Sequence, residues 1–278
     1  MKVDKFRTVI IYITIILLGL VCLLPLLNIV AISFSSSAAV EGNMVGLIPV
    51  GFSTAAYKKI LEDSQFWHSF LISVERVVLT LIINFVLIVL MAYPLSKTNA
   101  QFRGRNIYAN LMIFAMLFNG GMIPTFLLVK SYGLLNTVWA LVLPGAVPIF
   151  NVILVMNFFA AVPKELEEAA FIDGANPLQV LTKIFIPISK PVLATVSLFS
   201  IVGSWNDFYS GLIYMSKAAY YPLMTYIQSL QINVEDLIKQ GNLSAVVDSA
   251  SLGNTNLNAA KIVVAVIPLL LIYPLLQR

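Results

Sequence analysis

Of the 278 residues, 59% are hydrophobic and 11% are charged, which excludes a soluble globular domain and makes lipid the solvent for most of the chain. The net charge of +4 is not gathered into Lys/Arg runs interleaved with aromatics, so nucleic acid is excluded as a partner. One cysteine, Cys22, and one histidine, His68, exclude an intrachain disulfide and a Cys-based metal site; no metal set is expected, and His68 reads as a structural residue at a membrane boundary.

Crossing a hydrocarbon core of about 30 Å takes roughly 20 apolar helical residues. Six stretches meet that requirement: Thr8 to Ile32, Val77 to Leu95, Ile107 to Lys130, Thr137 to Val162, Pro191 to Met215, and Ala259 to Leu276. The first could alternatively be a cleaved signal peptide with Ala38-Ala39 as the processing site, but secretory apolar cores run about 7 to 15 residues and this one is long enough to stay in the bilayer. Between the first two spans, Phe52 to Phe70 carries Tyr57, Ile60, Leu61 and Phe66 at near-helical spacing and is expected to lie along the outer membrane face. Gly241 to Asn258, rich in Asn, Ser and Gly, reads as a loop. The fold class is therefore all-α, a single polytopic domain over residues 1–278.

An even number of spans puts both termini on one side. Lys2, Lys5 and Arg7 before the first span, and Lys97, Arg103 and Arg105 between the second and third, make that side cytoplasmic. Lys164, Lys183 and Lys190 then fall inside, while Lys58, Lys59, Lys217 and Lys239 fall in long outer loops, which carry little topological weight. Glu75 and Arg76 lie near the outer end of the second span, where anchoring at the interface with mutual neutralisation competes with a role in transport.

Residues 163–190 form a polar island between two spans. Pro163 is suited to the first helical position, Glu165, Glu167 and Glu168 favour the positive end of the helix dipole, and Leu166, Ala169, Ala170 and Asp173 recur at helical spacing. Gly174 stops that helix, Asn176-Pro177 starts another, and Leu178, Leu181, Ile184 and Phe185 give it an apolar face until Pro187. Two short amphipathic helices bury little against each other, so their apolar sides must rest on the spans or on another protein.

The run Glu168-Ala169-Ala170, then Gly174, then Ile184-x-Ile186-Pro187 resembles the signature of the permease subunits of ATP-binding-cassette importers, with Ile186 where Leu is usual. Met122-Ile123-Pro124, Gly133-Leu134-Leu135-Asn136-Thr137, the Pro163 to Ala175 run and Trp205-Asn206-Asp207-Phe208 are similar to the maltose-type carbohydrate branch. Asn119 to Pro124 further resembles permeases for oligosaccharides derived from plant or algal polysaccharides. Members of the family carry a short basic, Gly-rich tail after the last span, where this sequence stops at Leu276-Gln277-Arg278.

The resemblance implies a type I importer permease fold in the bacterial plasma (inner) membrane. It implies that the island is a coupling helix set in a cleft of a cytoplasmic ATPase, through Glu165, Leu166, Glu167, Glu168, Ala169, Ala170, Asp173, Gly174, Ile184 and Pro187. Implied partners are a second homologous permease, two ATPase copies and an extracytoplasmic sugar-binding protein. ATP and Mg belong to the ATPases, since no Gly-Lys dipeptide, and hence no phosphate-binding loop of the G-x-x-x-x-G-K kind, occurs in this chain. The chain itself is then not an enzyme. Rival readings are an importer of a peptide or polyol, and a carrier driven by an ion gradient.

A gradient-driven carrier needs ionisable groups in the membrane, and Asp207 comes nearest. It reads as half of an ion pair with a neighbouring subunit, as an interface residue, or as a proton relay. With Trp205, Asn206 and Tyr209 it also has the chemistry of a sugar path, aromatic faces beside amide and carboxylate, though Trp and Tyr equally mark the membrane interface. Asn119, Asn151 and Asn157 are amides in spans whose burial in lipid costs several kcal/mol unless they face protein or water, and Asn119 joins the substrate-path candidates.

Overall fold

The structure, a computed structural model, describes residues 5–230 and 255–276. Most of the loop expected over Gly241 to Asn258 lies outside the described residues. Among the described residues, three helices are long and apolar enough to cross a bilayer unbroken: α1 (Lys5–Ser33), α4 (Ser64–Leu95) and the first eighteen residues of α14 (Thr255–Leu276). Three more candidates are bent pairs: α5 (Arg105–Leu117) with α6 (Met122–Ser131), Val138–Gly145 with α8 (Ile149–Ala160), and Pro177–Ile188 with α12 (Lys190–Asn206). Counting each pair as one span gives the six expected.

The bends interrupt stretches that summed hydropathy reads as continuous, and the first two have a local cause. At Gly121, φ is +88° and α5 and α6 diverge by 109°. The next pair is a short helix, α7 (Val138–Val142), whose end tightens into a 3-10 turn at Leu143–Gly145; Pro144 and Pro148 then break the chain, giving 48°. The fifth expected span ends its helix at Asn206 and resumes as α13 (Tyr209–Tyr214).

Among the described residues, 5–67 with 227–230 and 255–268 form one compact unit, and 68–226 with 269–276 a second. In the first, α1 is exposed and apolar on all sides over Val9 to Leu27, as a helix solvated by hydrocarbon must be. Two short helices follow, α2 (Ser37–Glu41) and α3 (Ala55–Glu62). The helical spacing expected after Phe52 is realised, with Ile60 and Phe66 buried and Leu61 exposed. Asp63 joins three elements: its Oδ1 accepts the Phe66 N–H at 3.0 Å and caps α4, while its Oδ2 pairs with the buried Lys261 of α14 at 2.7 Å. The Asn256 amide of α14 donates to the Ser35 carbonyl and to the Ser37 hydroxyl, each at 3.3 Å.

The second unit is organised by α4, which runs inside-out relative to a soluble helix. Ser69, Ser73, Arg76, Thr80 and Asn84 recur every three or four residues and are buried, whereas Leu71, Val74, Val78, Ile82, Val86 and Leu90 form the exposed stripe. Buried polar groups need partners at membrane depth, and most of this face finds them, Thr80 Oγ1 and Arg76 Nε being left without one. Ser73 Oγ accepts the Leu223 N–H at 2.7 Å. The Asn84 amide, oriented to satisfy both its atoms, donates to the Ala146 carbonyl at 3.0 Å and accepts from Ser200 Oγ at 3.2 Å. Below this ladder the face turns apolar, and Ile88, Val89 and Ala92 pack with Val152, Val155 and Phe159 of α8 and Val192, Leu193 and Val196 of α12.

Candidate functional site

The polar island folds as helix, corner, helix. Pro163 was expected inside the first helix but precedes it, at ψ 130°, and α9 spans Lys164–Ile172. The helix ends as the sequence predicts: Gly174 adopts φ +82°, its N–H donates to Phe171 O at 3.1 Å, and the Ala175 N–H reaches back to Ala170 O at 2.9 Å. Asn176 opens the next helix, α10 (Pro177–Val180), through a reciprocal cap. Its side chain accepts the Gln179 N–H and its own N–H donates to Gln179 Oε1, each at 2.9 Å. A π turn over Leu181–Phe185 and α11 (Ile186–Ile188) complete the second limb, which meets α12 at 84°.

One side of this hairpin is fastened to the bundle. Glu167, among the expected coupling residues, is only 8% exposed, and its carboxylate pairs with Lys97 Nζ at 2.7 Å just beyond the end of α4. Lys97 Nζ also sits over the rings of Tyr93 and Phe185 at 4.1 and 4.2 Å, and the Tyr93 hydroxyl approaches Glu167 Oε1 at 3.4 Å. Burial pushes the Lys97 pKa down from its ordinary value, and the Glu167 carboxylate pulls it partly back. Phe185 meets Tyr93 and Phe159 edge to face at 5.1 and 5.4 Å, and Ala170, Val180, Leu181 and Ile184 join the same core.

The opposite side is open. Ile172 is 87% exposed, Leu178 62%, and Leu166 and Phe171 each 43%. Glu165, Glu168, Ala169, Asp173, Gly174 and Pro187 are exposed with them. The ten expected residues thus divide into a clamped set, Glu167, Ala170 and Ile184, and an outward set.

The substrate-path candidates differ in how far they are engaged within the chain. Trp205 is buried edge to face with Phe70 at 5.6 Å. Asp207 pairs within this chain with Arg76: Nη2 meets Oδ2, while Nη1 donates to the Asp207 carbonyl at 3.0 Å. Ser210 donates to the same carboxylate from its N–H at 3.1 Å and from its hydroxyl. Arg76 therefore does not neutralise Glu75, because successive helix residues point in different directions. Glu75 is exposed and lines a cavity of about 280 Å³ with His68, Asn136 and Tyr220.

Asn119, Asn206 and Tyr209 are exposed. Asn119 Oδ1 accepts the Gly121 N–H at 3.0 Å, the Asn206 amide donates to Val202 O at 3.0 Å, and Tyr209 donates to Met122 Sδ at 3.1 Å, which brings it to the start of α6. Asn151 is buried on the core face of α8 and Asn157 is exposed.

Sequence reading missed the Lys97–Glu167 joint, the Arg76–Asp207 pair and the α4 polar ladder. The ladder carried a usable signal, since five polar residues at helical spacing lie among apolar neighbours.

Apolar helices with polar groups turned inward, and a fastened hairpin with an apolar outer face, define a polytopic membrane protein. The chain belongs to the family of binding-protein-dependent transport system inner membrane components, whose model matches residues 78–278. It is 40% identical over 260 residues to protein LplC of Bacillus subtilis, covering 94% of this chain and 86% of that one. It is 39% identical over 275 residues to the polygalacturonan/rhamnogalacturonan transport system permease protein YtcP of the same organism, covering 99% and 95%. A chain of a crystallised bacterial ABC transporter involved in the import of the acidic polysaccharide alginate matches with a TM-score of 0.86 at 32% identity, over 100% of this chain and 97% of that one.

Proposed function

We propose that this chain is one membrane-spanning permease subunit of an ATP-driven importer of oligosaccharides, and that the hairpin over residues 163–190 is its coupling element. The observation that carries the reading is the two-sided hairpin: clamped through Glu167 and Phe185, and bare at Leu166, Phe171, Ile172 and Leu178. A bare apolar face on a rigid polar excursion is costly in water and is stabilised by a protein cleft. ATPase closure displaces that face, and the joint at Lys97 passes the displacement to α4 and α8. The bundle then alternates between inward-open and outward-open forms while a binding protein delivers sugar.

The oligosaccharide cargo is supported by relatives named for polygalacturonan/rhamnogalacturonan transport and alginate import. The assembly we infer has two homologous permeases, two ATPases that bind ATP and Mg, and an extracytoplasmic sugar-binding protein, with both termini of this chain cytoplasmic. Asn119, Asn206 and Tyr209 are the exposed residues suited to a sugar path. Asp207 and Trp205 are engaged in the protein interior and serve to hold the walls.

The test is a reconstituted complex carrying Gly174→Pro, which cannot adopt φ +82°, or Ile172→Glu, which keeps the backbone and charges the outer face. Both should assemble in the membrane and lose the ATP hydrolysis stimulated by sugar-loaded binding protein. Full stimulation in both variants would refute the coupling role.

A further inference from the structure

A groove of about 490 Å³ lies between the end of α4, α5 and α8, walled by Leu90, Pro94, Leu95, Leu111, Ala115 and Ile149. Every lining side chain but Tyr108 is apolar, and exposed Leu90, Tyr108 and Leu111 leave it open to the surroundings. Phe102 stacks on Tyr108 at 5.7 Å and forms its rim. Arg103 follows Phe102 in the chain and is exposed, and the Arg105 N–H donates to the Phe102 carbonyl at 3.1 Å. The Arg105 guanidinium is fastened to the groove wall, its Nε donating to the Leu95 carbonyl at 2.9 Å and its Nη1 to Asn106 Oδ1 at 3.1 Å. Among the described residues no carboxylate is within ion-pair distance of either arginine, whereas neighbouring Lys97 has Glu167.

We infer that this groove is a binding site for one anionic phospholipid of the cytoplasmic leaflet, an acyl chain lying along α5 and the phosphate between Arg103 and Arg105. The apolar channel and the paired cations each exclude other ligands: a sugar gains nothing from the walls, and a neutral apolar ligand leaves two cations unanswered. An aromatic rim belongs at the depth where acyl chain gives way to headgroup. The site adjoins the Lys97 joint, so bound lipid would brace the end of α4 against which the hairpin pulls. The leaflet assignment rests on the cytoplasmic placement of the hairpin.

The assembled transporter, stripped of lipid in detergent, is titrated with phosphatidylglycerol or with phosphatidylcholine of the same chains and read by native mass spectrometry. Wild type should retain one phosphatidylglycerol in preference to phosphatidylcholine. Arg103→Gln/Arg105→Gln should weaken that binding about 25-fold, since each basic residue near an anionic headgroup contributes a factor of about five, and Ala115→Trp should weaken both lipids by filling the groove. Equal affinity for the two lipids, unchanged retention in both variants, or cross-linking of a cysteine at Leu111 to the sister permease would each overturn the inference. Binding-protein-stimulated ATP hydrolysis by wild type, recorded in parallel, separates these failures from failure of the transport reading.

Discussion

Replacing Glu167 or Lys97 isolates the joint through which the hairpin acts. In Lys97→Met the Glu167 carboxylate, 8% exposed, keeps the Tyr93 hydroxyl at 3.4 Å but loses its counter-charge. Breaking one side of a buried pair costs about 3–5 kcal/mol. The aromatic contacts of the ammonium at 4.1 and 4.2 Å add about 1 kcal/mol more. Glu167→Met instead strands the ammonium, which keeps the Tyr93 and Phe185 ring faces but loses its counter-charge, so its cost falls in the same range. Lys97→Met/Glu167→Met removes both charges and should recover most of the loss, as apolar replacement of a buried pair is close to neutral. The assay is the apparent Tm of the purified complex together with binding-protein-stimulated ATP hydrolysis. Singles as stable as wild type, or a double variant no better than the worse single, would refute the joint.

Other perturbations report on the scaffold. Asp207→Asn should lower the yield of folded complex by leaving the buried Arg76 partly unpaired, at about 3 kcal/mol or more, and Arg76→Leu/Asp207→Leu should restore it, measured by size-exclusion recovery. A Cβ on Gly211 would lie 2.8 Å from the Thr225 Cβ, so Gly211→Ala should cost about 1–3 kcal/mol, relieved by Thr225→Gly in the same background, as read from the apparent Tm. Gly174→Ala meets no neighbour and carries only left-handed strain, about 1–2 kcal/mol, so it should reduce stimulated hydrolysis far less than Gly174→Pro.

What could be read ahead of the structure was whatever local chemistry decides. The Gly174 corner, the Asn176 cap and the hydrophobic lengths of the spans depend on residues within a few positions of each other, and the folded chain realises them. Pairings across the chain were not legible. Glu167 reads as a helix-dipole acid until Lys97, 70 residues earlier, is placed beside it, and Arg76 reads as a partner of Glu75 until Asp207 comes into reach across 131 positions. Adjacency misled there because neighbouring residues on a helix diverge. The bend inside the third span was not legible for a related reason: summed hydropathy over Ile107 to Lys130 ignores the positive φ that Gly121 permits.

The most direct measurement places a single cysteine at Ile172 in a Cys22→Ser background and follows its cross-linking in membranes containing the whole transporter. The account predicts capture of an ATPase subunit, with a yield that changes when nucleotide is added. Absence of any ATPase adduct at Ile172 and at Ala169, with sugar uptake intact, would contradict it.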